Sequence, residues 1–128
     1  MPTIWVVDDD EEMAHAIQLM LKLIRFEPQG FLSARAAAEA LLAGKPPDLM
    51  LLDISMPEVT GLDLLEFIRR RKDLSHVAVV MLSTEAADVT IDRALALGAD
   101  GYVTKPVTLD ELESVLNQAI GKHAKGQS

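Results

Sequence analysis

Residues 77–82, VAVVML, are apolar at every position and rich in β-branched side chains. A parallel strand that is covered by helices on both faces has this composition. Residues 49–52, LMLL, form a second run that is apolar at every position. Outward from these two runs, short apolar segments alternate with segments of helical period along the whole chain. This alternation predicts an α/β domain built on a parallel sheet.

Three further apolar segments predict strands. They lie at residues 3–7, 28–32 and 101–104. The middle segment contains Pro28 and Gly30, which are typical of the edge of a sheet rather than its centre.

The segments between the strands predict helices. The basic run at residues 69–72 ends the third helix and is expected to be a solvated helix terminus. The last helix is predicted to end near Gly121, because residues 122–128 are polar and without periodicity. We therefore expect one domain over residues 1–121, followed by a flexible tail or the start of a linker.

The composition excludes several classes of site and partner. The 128 residues are 49% hydrophobic and carry a formal charge of −8, with no cysteine. Zinc–thiolate sites, iron–sulfur clusters and cysteine nucleophiles are therefore excluded. The acidic charge argues against direct binding of nucleic acid or anionic lipid. The apolar runs are too short to span a bilayer, and a cytoplasmic location is expected.

Residues with chemistry follow four of the five predicted strands, at the point where each strand ends. Asp8 and Asp9 follow the first strand, Asp53 the third, Ser83 the fourth and Lys105 the fifth. In open parallel sheets, ligands bind beyond the carboxyl ends of the strands. We therefore expect these side chains to meet at one edge of the sheet.

Acids gathered in this way need a counter-charge. Two carboxylates about 4 Å apart repel by roughly 4 kcal/mol at an effective dielectric constant near 20. An oxygen ligand set suits a hard cation, and Mg²⁺ is the natural choice, with Mn²⁺ as a substitute. A cation beside a lysine and a hydroxyl can stabilise a phosphoryl group. Asp53 would be the nucleophile, since carboxylates form aspartyl phosphates.

Four motifs together carry a resemblance to a known family. They are residues 6–9 (VVDD), residues 52–57 (LDISMP) with Gly61, residues 81–84 (MLST) and residues 98–106 (GADGYVTKP). In this order and spacing they resemble the receiver domain of two-component response regulators, over Thr3 to about Gly121. The resemblance implies a flavodoxin-like doubly wound sandwich, with a five-stranded parallel sheet of order 2-1-3-4-5 and five helices.

The resemblance also implies the roles of the site residues. Asp53 accepts a phosphoryl group from a phosphohistidine on a sensor histidine kinase or a phosphotransfer protein. Asp8, Asp9, Asp53 and the backbone carbonyl of Ser55 hold Mg²⁺. Lys105 pairs with Asp53 at rest and is kept in place by the turn at Pro106, which commonly follows a cis peptide bond.

The remaining implied roles concern switching. Ser83 donates its hydroxyl to the phosphoryl group, and Tyr102 moves between an exposed and a buried rotamer. Ser55 and Glu85 tune the lifetime of the phosphoryl group. The output partner, whose identity the sequence does not reveal, binds the face formed by the fourth helix, the fifth strand and the fifth helix. Such a domain is not a turnover enzyme, although it catalyses its own phosphorylation and slow autodephosphorylation.

Two other classes stay open. A haloacid-dehalogenase-like phosphatase also uses an aspartate nucleophile with Mg²⁺, but it needs a second acid where this chain has Ser55, and a cap domain. A flavodoxin-like cofactor carrier has the same fold, but it needs a phosphate-binding loop rich in Ser, Thr and Gly after the first strand. Residues 8–12 are all acidic and would repel a phosphate there.

Overall fold

Strands and helices alternate along the chain. The computed structural model describes residues 1–56, 59–83 and 88–126. The strands are β1 (Thr3–Val7), β2 (Glu27–Phe31), β3 (Leu49–Asp53), β4 (Ala78–Ser83) and β5 (Gly101–Thr104). The helices are α1 (Glu11–Leu23), α2 (Ala34–Leu42), α3 (Gly61–Arg69), α4 (Asp88–Ala96) and α5 (Leu109–Gly126), with a 3₁₀ turn at Lys72–Leu74.

All five strands are parallel and form one sheet of order β2-β1-β3-β4-β5. This arrangement confirms the predicted fold class and strand order. The wholly apolar runs on β3 and β4 lie side by side in the sheet, with Asp53 opposite Leu82. Both strands are buried along their whole length, as expected of strands covered on two faces.

The core has two layers, one on each face of the sheet. Side chains of a strand alternate between the faces, so Met50 and Leu52 enter one layer while Leu49 and Leu51 enter the other. Buried residues of α2, α3 and α4 complete the first layer, and those of α1 and α5 complete the second. The helices therefore hold the sheet from both sides and leave the ends of its strands free to form a site.

The strand β2 lies at one edge of the sheet, as its Pro28 and Gly30 predict. All five of its residues are partly or fully exposed. Its last residue, Phe31, packs against Trp5 of β1, with ring centroids 4.8 Å apart. The only tryptophan of the chain is thus buried in the layer formed with α2 and α3.

The end of α5 differs from the prediction. The helix continues to Gly126, so its predicted end near Gly121 is wrong. Gly121 lies in the helix, where an added Cβ would meet nothing within 4 Å. The residues that follow include alanine and lysine, which have high intrinsic helix propensity. In the described ranges, no helix is long and apolar enough to cross a membrane.

Candidate functional site

The three predicted acids meet at the carboxyl edge of the sheet. Asp8 follows β1, Asp53 ends β3, and one carboxylate oxygen of each, together with one of Asp9, lies within 4.8 Å of the others. Asp8 is fully buried and Asp53 is 4% exposed, whereas Asp9 is exposed. Two buried carboxylates and one exposed carboxylate therefore share a single small site.

Backbone amides fix the direction of the two buried carboxylates. The Asp10 N–H donates to Oδ1 of Asp8 at 3.0 Å, and the Ser55 N–H donates to Oδ1 of Asp53 at 3.1 Å. In each case the donor lies two residues after the acid, in the turn that leaves the strand. The turn thus orients one oxygen of each carboxylate, while the other oxygen faces the centre of the site.

Lys105 supplies the positive charge that reaches these acids within the described part of the chain. Its Nζ lies 3.2 Å from Oδ2 of Asp8 and 3.5 Å from Oδ2 of Asp53. The expected pairing with Asp53 is present, but the contact with Asp8 is shorter. Burial opposes the charge of Lys105, yet the charges of Asp53 and Asp8 outweigh it and raise the pKa of this amine. The peptide bond to Pro106 is cis, as expected.

Asp53 is the acid most strongly affected by its surroundings. Burial and the neighbouring charge of Asp8 raise the pKa of Asp53 from 3.8 to about 6, against the opposing effects of Lys105 and the Ser55 N–H. The single positive charge of Lys105 therefore does not balance the negative charge of the acids around it. The site has an excess of negative charge and only oxygen ligands, which is the environment that a hard divalent cation prefers. The residues present fit Mg²⁺.

Ser83 is brought to the same edge by β4. It is the last residue of the strand, is 6% exposed, and lies opposite Thr104 in the pairing with β5. Its carbonyl accepts a hydrogen bond of 2.8 Å from the Lys105 N–H. Backbone pairing thus couples the positions of Ser83 and Lys105. All four strand ends that the sequence singled out meet at one edge of the sheet.

A sequence profile described as "Response regulator receiver domain" matches residues 4–117. The chain belongs to this family. The match decides between the receiver domain and the phosphatase and cofactor-carrier alternatives. It also covers all five strands except Thr3, the first residue of β1, and every residue of the acidic site.

Relatives and solved structures agree with this assignment. The chain is 34% identical, over 88% of its length, to the phosphate regulon transcriptional regulatory protein PhoB of Rhizobium meliloti. It is 29% identical, over 94% of its length, to the two-component response regulator ORR3 of Oryza sativa. The receiver domain of the Francisella response regulator 1452 superimposes with a TM-score of 0.83 at 25% identity, covering 95% of this chain and 98% of that domain.

The relatives differ in length. This receiver domain spans 49% of the PhoB relative but 92% of the ORR3 relative. The chain therefore matches about half of one regulator and nearly all of another. What the longer relative does outside the matched part does not carry over to this chain.

The predicted switch residue lies away from the acids, on the face formed by α4, β5 and α5. Tyr102 is 40% exposed on β5. Together with Leu95 and Val115 it lines a groove of about 290 Å³ on this face. Tyr102 is therefore exposed in this structure, and its movement between two rotamers stays a prediction. Of the lifetime-tuning pair, Ser55 is exposed beside the site, and Glu85 lies outside the described residues.

Two features of the receiver domain were not assigned a role from the sequence. The first is Arg69, which was expected to be solvated with the rest of the basic run. Arg70 and Lys72 are exposed as predicted, but the Arg69 guanidinium donates to the carbonyls of Gly98 and Val77 and pairs with Asp100 at 2.9 Å. Its partners lie up to 31 residues away, and no local pattern identifies them.

The second feature is Gly61, the first residue of α3. It belongs to the motif after β3, yet the motif does not say why glycine stands there. Its N–H donates to the carbonyl of Ile54 at 3.3 Å, which places α3 directly against the turn that follows Asp53. This role of Gly61 is visible only in the folded chain, where the backbone at the start of α3 closely approaches the backbone of the turn after Asp53.

Proposed function

We propose that this receiver domain accepts a phosphoryl group on Asp53 from the phosphohistidine of a sensor kinase or phosphotransfer protein, in a Mg²⁺-dependent reaction. The observation that carries the proposal is the gathering of three carboxylates within 4.8 Å around one lysine. Asp8, Asp9, Asp53 and the carbonyl of Ser55 are the proposed ligands. When bound, the cation would neutralise these acids and the incoming phosphoryl oxygens.

Asp53 has the position and chemistry of the nucleophile. Its Oδ1 is held by the Ser55 N–H, so Oδ2 is the oxygen directed to the site. In the transfer, a carboxylate oxygen forms a bond to phosphorus while the bond from phosphorus to the donor imidazole breaks. The carboxylate must be ionised to attack, and with its pKa raised to about 6 it is mostly ionised at neutral pH.

Lys105 and Ser83 are proposed to bind the phosphoryl oxygens after transfer. Lys105 already lies 3.5 Å from the acceptor carboxylate, and its ammonium can follow the added negative charge. Ser83 is joined to Lys105 through the backbone hydrogen bond between them. A movement of either residue toward a phosphoryl group would therefore displace the end of β4.

The proposed output is a change on the face formed by α4, β5 and α5, reported by Tyr102. An unidentified partner that binds this face better in the phosphorylated form would, by reciprocity, favour phosphorylation. In this role the domain is a signalling switch rather than a turnover enzyme. Its slow self-dephosphorylation, with Ser55 and Glu85 setting the lifetime, and its cytoplasmic location stay predictions.

The central experiment is intact-mass analysis after incubation with acetyl phosphate and Mg²⁺. We expect one hydroxylamine-labile phosphoryl group on the wild-type protein and none on Asp53→Asn or in EDTA. Asp48→Asn is the matched control, because Asp48 lies just before β3 and Asp53 ends it. Labelling that survives Asp53→Asn would contradict the proposal, and steady release of phosphate from unrelated monoesters would favour a phosphatase.

A second arm of the same experiment tests the output. Tyr102 is the only tyrosine of the chain, so incorporation of fluorotyrosine gives a single ¹⁹F resonance. We expect this resonance to shift on phosphorylation of the wild-type protein and to stay unchanged in Asp53→Asn treated in the same way. A labelled protein whose fluorine resonance does not move would show that Tyr102 is not the switch.

A further inference from the structure

We infer that Gly61 is a positioning residue for the phosphoryl acceptor, because its missing side chain lets α3 pack directly on the backbone of Asp53. A Cβ at position 61 would stand 2.1 Å from the carbonyl oxygen of Asp53 and 2.8 Å from its carbonyl carbon. It would also lie 3.1 Å from Cα of Ile54. These are backbone atoms, so no side-chain rotation relieves the overlap. The inference deepens the proposed function and rests on it.

The requirement for glycine at this position is steric rather than conformational. Gly44 and Gly98 have φ values of +99° and +107°, in the region that favours glycine. Gly61 is not among the residues with positive φ. An alanine would therefore fit the local backbone conformation at position 61, and only the contact with Asp53 forbids it.

The backbone that Gly61 touches is the turn that aims the acceptor carboxylate. The Ile54 N–H donates to the Leu82 carbonyl at 2.9 Å, which anchors the turn to β4. The next amide, of Ser55, donates to Oδ1 of Asp53. The carbonyl of Ser55, a proposed ligand of the cation, belongs to the same turn. A displacement at Asp53 thus changes the acceptor and a metal ligand together.

Neither partner in this contact has an easy way to move. Asp53 lies in the middle of the sheet, paired with β4. The helix α3 is fixed in the core by its buried Leu64, Leu65 and Ile68, and at its far end by the hydrogen bonds of Arg69. A side chain at position 61 therefore strains both partners, and the part of the displacement that falls on the Asp53 backbone changes the distance between Asp53 and the other acids.

The test compares Gly61→Ala with three matched variants. Leu64→Ala removes a buried side chain of the same helix and lowers stability without touching the Asp53 contact. Gly30→Ala also creates an overlap, but with the Gln18 side-chain amide at 2.3 Å, which can rotate away. Gly121→Ala adds a methyl group where nothing lies within 4 Å. Leu64→Ala shows the effect of lost stability alone. Gly30→Ala shows the effect of crowding by an added methyl group, and Gly121→Ala shows the effect of replacing a glycine.

Three readouts are made on each folded variant. They are the amide chemical shifts of Ser55 without metal, the Mg²⁺ affinity by calorimetry, and the rate of labelling by acetyl phosphate. For Gly61→Ala we expect a displaced Ser55 resonance, at least tenfold weaker Mg²⁺ binding and at least tenfold slower labelling. A misplacement of about 1 Å can cost a factor of about 100 in rate. The three control variants are expected to keep the wild-type values.

The outcomes separate this inference from the proposed function. Wild-type Mg²⁺ affinity and labelling rate in folded Gly61→Ala overturn the positioning role. An equal loss of affinity in Leu64→Ala also overturns it, since that result would trace the effect to stability. A wild-type protein that is not labelled on Asp53 contradicts the proposed function instead, while the Ser55 resonance and the Mg²⁺ affinity still decide the role of Gly61.

A second condition covers the case in which Gly61→Ala does not fold in plain buffer. All variants are then compared in trimethylamine N-oxide, which favours compact states. Refolded Gly61→Ala is expected to show the same tenfold weaker Mg²⁺ binding relative to wild type in that solvent. Equal affinities of the two proteins there would overturn the inference.

Discussion

The two ends of the central sheet each bury charged side chains, but they balance the charge differently. At the carboxyl edge, the acids Asp8 and Asp53 share a single cation, Lys105. At the amino edge, Arg69 and Asp100 form a one-to-one pair whose side chains are 19% and 14% exposed. One molecule thus contains a buried cluster with excess negative charge and a partly buried cluster whose charges balance.

The two ends of the sheet also differ in how their charged groups are hydrogen-bonded. The Arg69 guanidinium donates to two backbone carbonyls as well as to Asp100, and Asp100 also accepts from the Val79 N–H at 2.9 Å. Burial lowers the pKa of Arg69, yet the charge of Asp100 counteracts that effect. At the amino edge, the charges of Arg69 and Asp100 balance each other without a ligand. Their hydrogen bonds connect α3, β4 and the loop before β5. At the carboxyl edge, the one ammonium of Lys105 leaves an excess of negative charge on the buried acids.

The largest expected effect comes from breaking the balanced cluster. Arg69→Ala leaves the partly buried Asp100 carboxylate without the guanidinium charge, and we expect the free energy of unfolding to fall by about 3 kcal/mol. Urea denaturation followed by the fluorescence of Trp5 measures this loss. Arg70→Ala, one position along and exposed, is the control and should change little. A loss below about 1 kcal/mol for Arg69→Ala would show that the pair contributes no more than a surface ion pair.

The opposite sign is expected at the carboxyl edge. Asp53→Asn should raise the free energy of unfolding of the metal-free protein by about 2 kcal/mol at pH 7.5. A rise in pKa from 3.8 to about 6 corresponds to a penalty of roughly 3 kcal/mol for the ionised form. The amide brings N–H donors next to Lys105, which offsets part of the gain.

The pH dependence gives this prediction its control. The folded protein binds the Asp53 proton more tightly than the unfolded chain, so the stability contributed by the protonated acid is fully present below about pH 3.8. It is lost as the pH rises through about 6. The difference between Asp53→Asn and wild type should therefore be small near pH 4 and grow to its full size above pH 7. A difference that is constant with pH would contradict the buried-charge explanation.

The smallest effect on stability is expected for an exposed ion pair, which serves as a reference for the effects at the two ends of the sheet. Arg70 and Glu66 form an ion pair on the surface of α3, with side chains 77% and 38% exposed. We expect Glu66→Gln to change the free energy of unfolding by less than about 0.5 kcal/mol, and by still less in high salt. A larger loss of stability that does not depend on salt would mean that solvent exposure does not explain why this ion pair and the Arg69–Asp100 pair contribute differently.

The carboxyl edge was predictable from the sequence because strand direction alone brings its residues together. Once the apolar runs are identified as parallel strands, Asp8, Asp53, Ser83 and Lys105 must meet at one edge. The order of the strands came from the family resemblance, since apolar runs do not specify which strands are neighbours. The end of α5 was predicted too early, because a polar segment without an apolar repeat still forms a helix.

The amino edge and the Gly61 contact were not predictable in the same way. Arg69 belongs to a run of basic residues in which Arg70 and Lys72 are exposed, and its partners lie on different loops. Gly61 differs from an ordinary helix-starting residue only in what lies within about 3 Å of it in the folded chain. Both features depend on how two separate segments of the chain approach each other. Residue types and their spacing within one segment do not predict that approach.

The exposed strand β2 has a consequence for how the molecules behave in concentrated solution. An open sheet edge invites another chain to add a strand, and growth of that kind leads to fibrils. Here the edge contains Pro28, which has no N–H to offer, and begins with the charged, exposed Glu27. The row of hydrogen-bonding groups is interrupted and carries negative charge, so preparations of this domain should stay dispersed rather than polymerise through their sheets.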